Sequence, residues 1–269
     1  MSYHTEQRGT LYNDDFRLYL KKSSGAIISP MHDIPLKVAD NVYNMVVEVP
    51  RWSNAKLEIS LKEPMNPIKQ DFKKGKLRFV VNCFPHRGYI WNYGALPQTW
   101  EDPSHMDPHT QANGDSDPVD ICDIGSRIHA TGSVVPVKIL GALAMIDEGE
   151  ADWKIIGIDT NDPMADKIND INDVEEYNPG LLAATVEWFK NYKIPDGKPA
   201  NKFAFDGEAK DATFAKEVVH TLHTQWQELM SGNGFDGIDR SCTQYECATN
   251  LATTAARSIV DTGAPKGET

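Results

Sequence analysis

Two apolar runs on either side of one acidic turn constrain this chain more than any other feature. V-V-P-V-K-I-L-G-A-L-A-M-I-D ends at Asp147 and W-K-I-I-G-I-D begins at Trp153, so D-E-G-E-A-D at their junction reads as a hairpin turn. Other segments of the first two thirds follow the same pattern. V-Y-N-M-V-V-E-V (42–49) is β-rich and stops at Pro50. A-K-L-E-I-S-L (55–61) alternates, with Leu57, Ile59 and Leu61 on one face and Lys56, Glu58 and Ser60 on the other. L-R-F-V-V-N-C-F (77–84) and V-D-I-C-D-I (119–124) read as further strands. Many short strands divided by turn residues predict a closed or nearly closed barrel.

Two helices are predicted. Asn178-Pro179 supplies an N-cap and a proline at the first helical position, ahead of Leu181, Leu182, Val186 and Phe189. The second spans 211–231, where Phe214, Val218, Leu222, Trp226 and Leu229 recur at helical spacing and Gly232 acts as a stop. Residues 90–118, rich in Pro, Trp, Asp and His, read as an ordered functional loop. The chain from about 233 reads as a frayed tail. No repeat or linker divides the 269 residues, so one domain over 1–269 is expected.

A net charge of −12 argues against a sequence-independent nucleic-acid binder, which needs a basic face to displace counterions. It leaves room for an enzyme of small phosphates, because a local pocket can be cationic or metal-loaded. No apolar run approaches the roughly 20 residues of a membrane span. The opening M-S-Y-H-T-E-Q-R-G-T has neither a secretory core nor the character of a transit peptide. Cys83, Cys122, Cys242 and Cys247 form no C-x-x-C pair, and Cys83 and Cys122, inside apolar runs, read as reduced, buried thiols, which suits a cytoplasmic protein.

Against this background Gly114–Gly125 is unusual: G-D-S-D-P-V-D-I-C-D-I-G places Asp115, Asp117, Asp120 and Asp123 within a dozen residues. Carboxylates this close repel one another and resist burial. D-x-D-x-x-D suits a hard cation with oxygen ligands, yet it is not the helix–loop–helix calcium site, because the sixth position is Asp120 and the twelfth Ser126. A solvated acidic turn fits poorly, because Val119, Ile121 and Ile124 read as buried strand. Other charged groups share strand faces: Asp152 with Lys154, Lys56 with Glu58, and Asp147 across the turn. Tyr89, Trp91 and Tyr93 share parity, and Tyr192-Lys193 closes the first predicted helix.

At D-S-D-P-V-D the chain resembles the soluble family I inorganic pyrophosphatases, whose signature is D-x-D-P-x-D with an apolar residue before the last Asp. The resemblance runs in order through N-M-V-V-E-V-P-R-W, K-L-E-I, F-P-H-R-G-Y-I-W-N-Y-G-A-L-P-Q-T-W-E-D-P and K-N-Y-K-I-P-D-G-K-P-A-N, over roughly residues 15–230. It points to the eukaryotic, fungal-like branch. It implies a mainly β (α+β) fold, a twisted five-stranded barrel of the oligonucleotide-binding type with flanking helices. It also implies Mg²⁺-dependent hydrolysis of pyrophosphate to two phosphates.

Carried over by position, Asp115, Asp120 and Asp152 are metal ligands, with Asp147 and Glu58 serving further metals. Asp117 is the base that takes a proton from a metal-bridged water, and Tyr89 is a candidate proton donor. Lys56, Arg78, Tyr93, Lys154, Tyr192 and Lys193 are phosphate ligands, and Glu48 is a supporting carboxylate. Asp123 stands where this branch usually has Glu and receives no ligand role. Eukaryotic members are commonly homodimers, which makes Arg51 and Trp52 candidate interface anchors.

The seven carboxylates and four cations of this set leave the empty pocket at −3. Pyrophosphate adds about −3 to −4, so neutrality calls for three or four divalent ions. No Ser, Cys or His stands out as a nucleophile, so direct attack by water is expected. His105 with His109 and His220 with His223 lack a third ligand and read as solvated. Two rivals are a two-metal phosphodiesterase or nuclease and a non-catalytic barrel that binds oligonucleotides. The second would need a basic, aromatic-studded face where this chain carries Glu48, Glu58, Asp120 and Asp152.

Overall fold

A computed structural model describes residues 2–232, 235 and 237–262. The architecture is carried by β1 (Tyr3–Arg8), β2 (Arg17–Lys22), β3 (Val42–Val49), β4 (Leu57–Ile59), β5 (Ile68–Gln70), β6 (Asn92–Ala95), β7 (Asp120–Asp123), β8 (Val134–Asp147) and β9 (Glu150–Asp159). Four helices accompany them: α1 (Ile171–Tyr177), α2 (Leu181–Asn191), α3 (Ala212–Ser231) and α4 (Thr253–Thr262).

The predicted hairpin is β8 and β9, paired from Val137↔Asp159 to Asp147↔Glu150. From it the sheet runs through β7, β6 and β3, and β3 returns to pair with β8, Val46 opposite Val134. Five strands thereby close a ring, as the fold reading required. All its pairings are antiparallel except β7–β9, which run parallel with Asp120 opposite Lys154. Gly94 permits the tight β6–β3 crossing: a Cβ there would lie 2.0 Å from the Val46 carbonyl oxygen, at a shift in register. A smaller antiparallel sheet orders β1, β2, β5 and β4.

One group of ring side chains, including Val47, Val137, Ile139, Ala144 and Ile155, packs against Ala215, Val218, Val219 and Leu222 of α3. Another, including Trp91, Leu143, Met145 and Ile156, packs against Trp188 and Phe189 of α2 and Ile171 and Val174 of α1. The Asp211 carboxylate caps α3 by accepting from the Phe214 amide at 2.8 Å, and Gly232 ends it, as the sequence predicts.

Several expectations are corrected. Asn178 does not start a helix. It ends α1, which carries its own capping box in Asp170 and Asp173, and Gly180 at φ 83° starts α2. Within 77–84 only Leu77 belongs to a strand, because Arg78 and Val80 bond irregularly to Asp71, Lys56 and Asn54, leaving Phe79, Val81 and Phe84 exposed. The 55–61 strand contracts to β4. The 90–118 loop contains β6, a fully buried strand whose lack of alternation hides it from a period-two reading. After 233 the described residues are docked: α4 buries Ala256 and Val260 against Tyr19, Ile27 and Met65, and Arg257 pairs with Glu6 at 2.5 Å. Residues 263–269, the rest of the expected frayed tail, lie outside the described residues.

Candidate active site

The parallel register of β7 and β9 sets Asp120 beside Lys154, and the two-residue period of β9 turns Asp152 to the same face. Lys154, only 2% exposed, donates to Asp120 Oδ2 and Asp152 Oδ1, and to the Tyr93 hydroxyl at 3.0 Å. Tyr93 in turn donates to Asp120 Oδ2. Burial would lower the Lys154 ammonium, but the charges of Asp120 and Asp152 outweigh it and hold the group well above its ordinary range.

The loop leading into β7 supplies the remaining aspartates. The Asp117 amide donates to Asp115 Oδ1 at 2.9 Å, and Glu101 brackets the turn, its amide on the Asp117 carbonyl and its carbonyl on the Ser116 amide, each at 2.9 Å. Oxygens of Glu101, Asp115 and Asp152 all lie within 4.8 Å of one another. Glu101 Oε1 accepts from the Trp153 amide at 3.0 Å, whereas its Oε2 is buried and has no partner.

Lost hydration, followed by neighbouring negative charge, pushes Glu101 and Asp115 well above the usual carboxylate range. Asp152 rises to about 6 through burial, despite Lys154. The Asp117 side chain reaches the surface, yet the cleft walls strip water from its carboxyl. Together with Glu58, Asp120 and Asp152 they raise it to about 7, against the pull of Lys56. Glu48 accepts from the Ile59 amide at 2.7 Å and is pushed well up by burial and then by Asp120. With Lys56, Glu58, Tyr93, Asp117 and Asp120 it lines a cavity of about 30 Å³.

Cations rim this acidic floor. Lys56 donates to Glu58 at 2.7 Å, and Arg78 donates to Asp71 at 2.9 Å. Asp71 also stands 3.9 Å from Lys56. Arg78 Nε is buried without a partner. Lys193, just past α2, donates to Asp147 Oδ2 at 2.5 Å, and the Tyr192 hydroxyl reaches the same oxygen at 3.3 Å. Asp147 Oδ1 is left buried and unpartnered. Tyr89 packs its ring on Tyr93 and Trp188 at 5.0 and 4.9 Å, and burial pushes its phenol up so that it keeps its proton.

All fourteen side chains named in the sequence reading therefore lie in or around one cleft. Glu101 and Asp71 belong with them and were missed. Glu101 sits in W-E-D-P beside a tryptophan and a proline, and only the fold brings that peptide against Asp117.

Other expectations fall elsewhere. Asp123 is fully buried outside the cleft. Arg51 lies 5.7 Å over the Trp52 ring, which is 47% exposed. His105 and His220 are exposed as expected. His223 is not simply solvated: it stacks on Trp226 with its Nδ1 2.6 Å from the Gln98 carbonyl, and His109 rests its ring against Phe214. Cys122 and Cys242 are buried, whereas Cys83 and Cys247 are half-buried.

The inorganic pyrophosphatase family profile matches residues 45–227. The inorganic pyrophosphatase of Drosophila melanogaster is 63% identical over 230 residues, 85% of this chain and 68% of that one. The human inorganic pyrophosphatase is 52% identical over 272 residues, 99% of this chain and 93% of its own. Among solved structures, inorganic pyrophosphatase from Schistosoma japonicum superposes with a TM-score of 0.90 at 50% identity, covering 93% of this chain and 90% of that chain. An N-terminally truncated vacuolar soluble pyrophosphatase of Trypanosoma cruzi, in complex with PPi, gives 0.79 at 43% identity over 85% and 91%.

Proposed function

The chain belongs to the inorganic pyrophosphatase family and is an enzyme that hydrolyses pyrophosphate to two phosphates, and from that premise we propose that the carboxylate cleft performs the reaction with magnesium and a directly attacking water. The observation that carries this reading is the triad of Glu101, Asp115 and Asp152, crowded within 4.8 Å with one buried oxygen lacking any partner. Such a site is deficient in positive charge, and its all-oxygen donor set suits a hard divalent ion.

Asp115, Asp120 and Asp152 would hold the first ions, with Asp147 and Glu58 taking others and Glu101 completing the oxygen cluster beside Asp115 and Asp152. The count is three to four with substrate, by the charge argument. When bound, magnesium acidifies water and offsets the charge of the phosphates. Asp117, which stands between Asp115 and Asp120 in the loop and reaches the cleft surface, is the general base for water. Lys56, Arg78, Tyr93, Lys154, Tyr192 and Lys193 line the rim as donors for phosphate oxygens. Tyr89, the candidate proton donor, keeps its phenol protonated and can donate a hydrogen bond to a departing phosphate. Glu48 supports β4 through the Ile59 amide. Cys122, two residues beyond Asp120, is fully buried and its thiol is pushed well up by that burial, which favours water over a covalent nucleophile.

We read the protein as one cytoplasmic catalytic domain; among the described residues no helix is long and apolar enough to cross a membrane. A homodimer is favoured by the exposed Trp52 with Arg51 stacked on it, and by the neighbouring segment whose Phe84 is 96% exposed. Neither rival gains support: the family relationship favours pyrophosphate over a nuclease substrate, and the acidic cleft is not the basic, aromatic face an oligonucleotide binder needs.

Phosphate release from pyrophosphate, with and without Mg²⁺ and with single-stranded DNA as a competing substrate, tests the reading. Release only from pyrophosphate and only with metal is expected. Comparable cleavage of DNA would overturn it.

A further inference from the structure

Cys242 and Cys247 bring their sulfurs to 3.2 Å, roughly 1.2 Å beyond the length of a disulfide. The contact is held by the loop between them, C-T-Q-Y-E-C. The Asp33 carboxylate, buried beneath that loop, accepts from the backbone amides of Thr243, Gln244 and Tyr245 at 2.6–3.2 Å. On the far side, the Leu251 amide donates to the Cys242 carbonyl at 2.7 Å. Cys242 is fully buried and Cys247 half-buried, so one thiol meets solvent while the other waits behind it.

The stretch before Cys242 braces the catalytic side of the molecule. The Asp239 amide donates to the Leu61 carbonyl at 2.6 Å, and the Met65 amide donates to Ser241 Oγ at 2.6 Å. Both contacts grip the turn that follows β4, whose neighbourhood carries Lys56 and Glu58. Nothing in the hydrolytic reading uses these two thiols.

We propose that Cys242 and Cys247 form a reversible disulfide when the protein meets a hydroperoxide, and that this bond locks the C-terminal segment against the β4 turn without stopping hydrolysis. The Cys247 thiolate attacks the peroxide; the O–O bond breaks, leaving a sulfenic acid on Cys247 and releasing an alcohol, or water from hydrogen peroxide. The Cys242 sulfur then displaces the sulfenic oxygen, which leaves as water with the Cys242 proton. Two thiols and one hydroperoxide thus give one disulfide, one water and one alcohol or second water, with the sulfurs losing two electrons and the peroxide gaining them. Burial pushes the Cys242 thiol up and keeps it protonated, which assigns the first attack to Cys247.

Hydrogen peroxide treatment of the full chain, quenching, and alkylation in denaturant before peptide mass mapping is the test. The expected result is loss of two hydrogens confined to the peptide joining Cys242 and Cys247, with Cys83 and Cys122 alkylated and the loss reversed by dithiothreitol. The oxidised protein should melt about 3–6 °C higher than the reduced one. Cys247→Ser, which leaves the buried Cys242 in place, should show neither change and keep its basal activity. Two alkylated thiols in the peptide after peroxide, or a sulfinic acid on Cys247, overturns the disulfide. An equal melting shift in Cys247→Ser overturns the lock.

Discussion

Two groups of carboxylates share the strands β7 and β9, one at each end, and they have opposite chemistry. At one end lie Asp120 and Asp152 with Asp115, Asp117 and Glu101; at the other lie Asp123 and Asp159 with Asp162. The second group is richly supplied with donors. Asp123 accepts from the Asn92 amide group at 2.8 Å and from the Gly125 and Asp159 backbone amides at 3.0 and 2.9 Å. Asp159 accepts from Arg127, from His129 at 3.0 Å and from Asn161. Asp162 takes both donors of Ser126 at 2.7 Å. Burial would raise Asp159 and Asp162, but hydrogen bonds, Asn161 for one and Ser126 for the other, bring both below the usual range. In the first group the same burial is not repaid, and Glu101, Asp115, Asp117 and Asp152 rise. Crowded carboxylates alone do not mark a functional site; a shortage of donors does.

The largest test of that contrast is metal removal. Excess chelator should reduce hydrolysis to background and added Mg²⁺ should restore it; full activity in chelator would place the donor-starved end outside the chemistry. Next, Asp117→Asn should lower kcat by about 10²–10⁴, the usual worth of a positioned general base. Its Mg²⁺ titration should stay near that of the parent, whereas Asp120→Asn should need more Mg²⁺ and recover part of its loss. Rescue of Asp117→Asn by extra Mg²⁺ would reverse the two roles.

Asp123→Ala probes the satisfied end. It strands the Asn92 amide and two backbone N–H groups, and denaturant unfolding should report a loss of about 3–5 kcal/mol. The folded enzyme should keep its specific activity; a kcat defect would join the two groups that the geometry separates.

A smaller effect concerns pH. Unfolded aspartates titrate near ~4, but in the metal-free fold Asp152 titrates near about 6 and Asp117 near about 7. Between those limits the native state binds more protons, so these two make stability fall as pH rises. Asp159 and Asp162 act with the opposite sign: their contribution is present above ~4 and is lost as pH falls through their lowered values. Bound Mg²⁺ removes the penalty of the first pair, so the melting difference between Mg²⁺ and chelator should widen from pH 5 to 8. A constant gap would break the assignment. Smallest in its effect on catalysis is Trp52→Ser, which touches neither group. It should halve the sedimenting mass at micromolar protein with kcat unchanged, and an unaltered mass would remove Trp52 from the interface.

The sequence revealed the first group and not its contrast with the second. Asp115, Asp117 and Asp120 announce themselves because three acids in six residues are costly without a counter-ion. Asp159 and Asp162 sit in an ordinary D-T-N-D turn, and their donors, Arg127, Ser126 and His129, come from a loop thirty or more positions away. Glu101 was illegible for the same reason, since its partners are the backbone of 116 and 117 and of Trp153. The β8–β9 hairpin was plain because alternation and turn chemistry are local signals, and α3 because its apolar stripe and glycine stop lie in order along the chain. The strand over 77–84 misled because apolar β-formers read alike whether they meet a sheet or, like Phe79, Val81 and Phe84, lie exposed. α4 and the docked segment before it escaped because small and polar residues fix them, through Asp33 and Glu6, rather than a strong apolar stripe.

The ring that holds the cleft closes through Val46 and Val134, residues 88 positions apart, and this has a kinetic consequence. Contacts that distant form only after loop-closure entropy has been met, so they belong to the slow part of folding. Glu58 and Asp152 are 94 positions apart in the chain. Until the ring shuts, the local cluster of Asp115, Asp117 and Asp120 is separated from Glu58, Glu101 and Asp152. High-affinity metal uptake should therefore emerge in one late phase after dilution from denaturant, timed by the meeting of β3 and β8 and lagging the gain of the local β8–β9 hairpin.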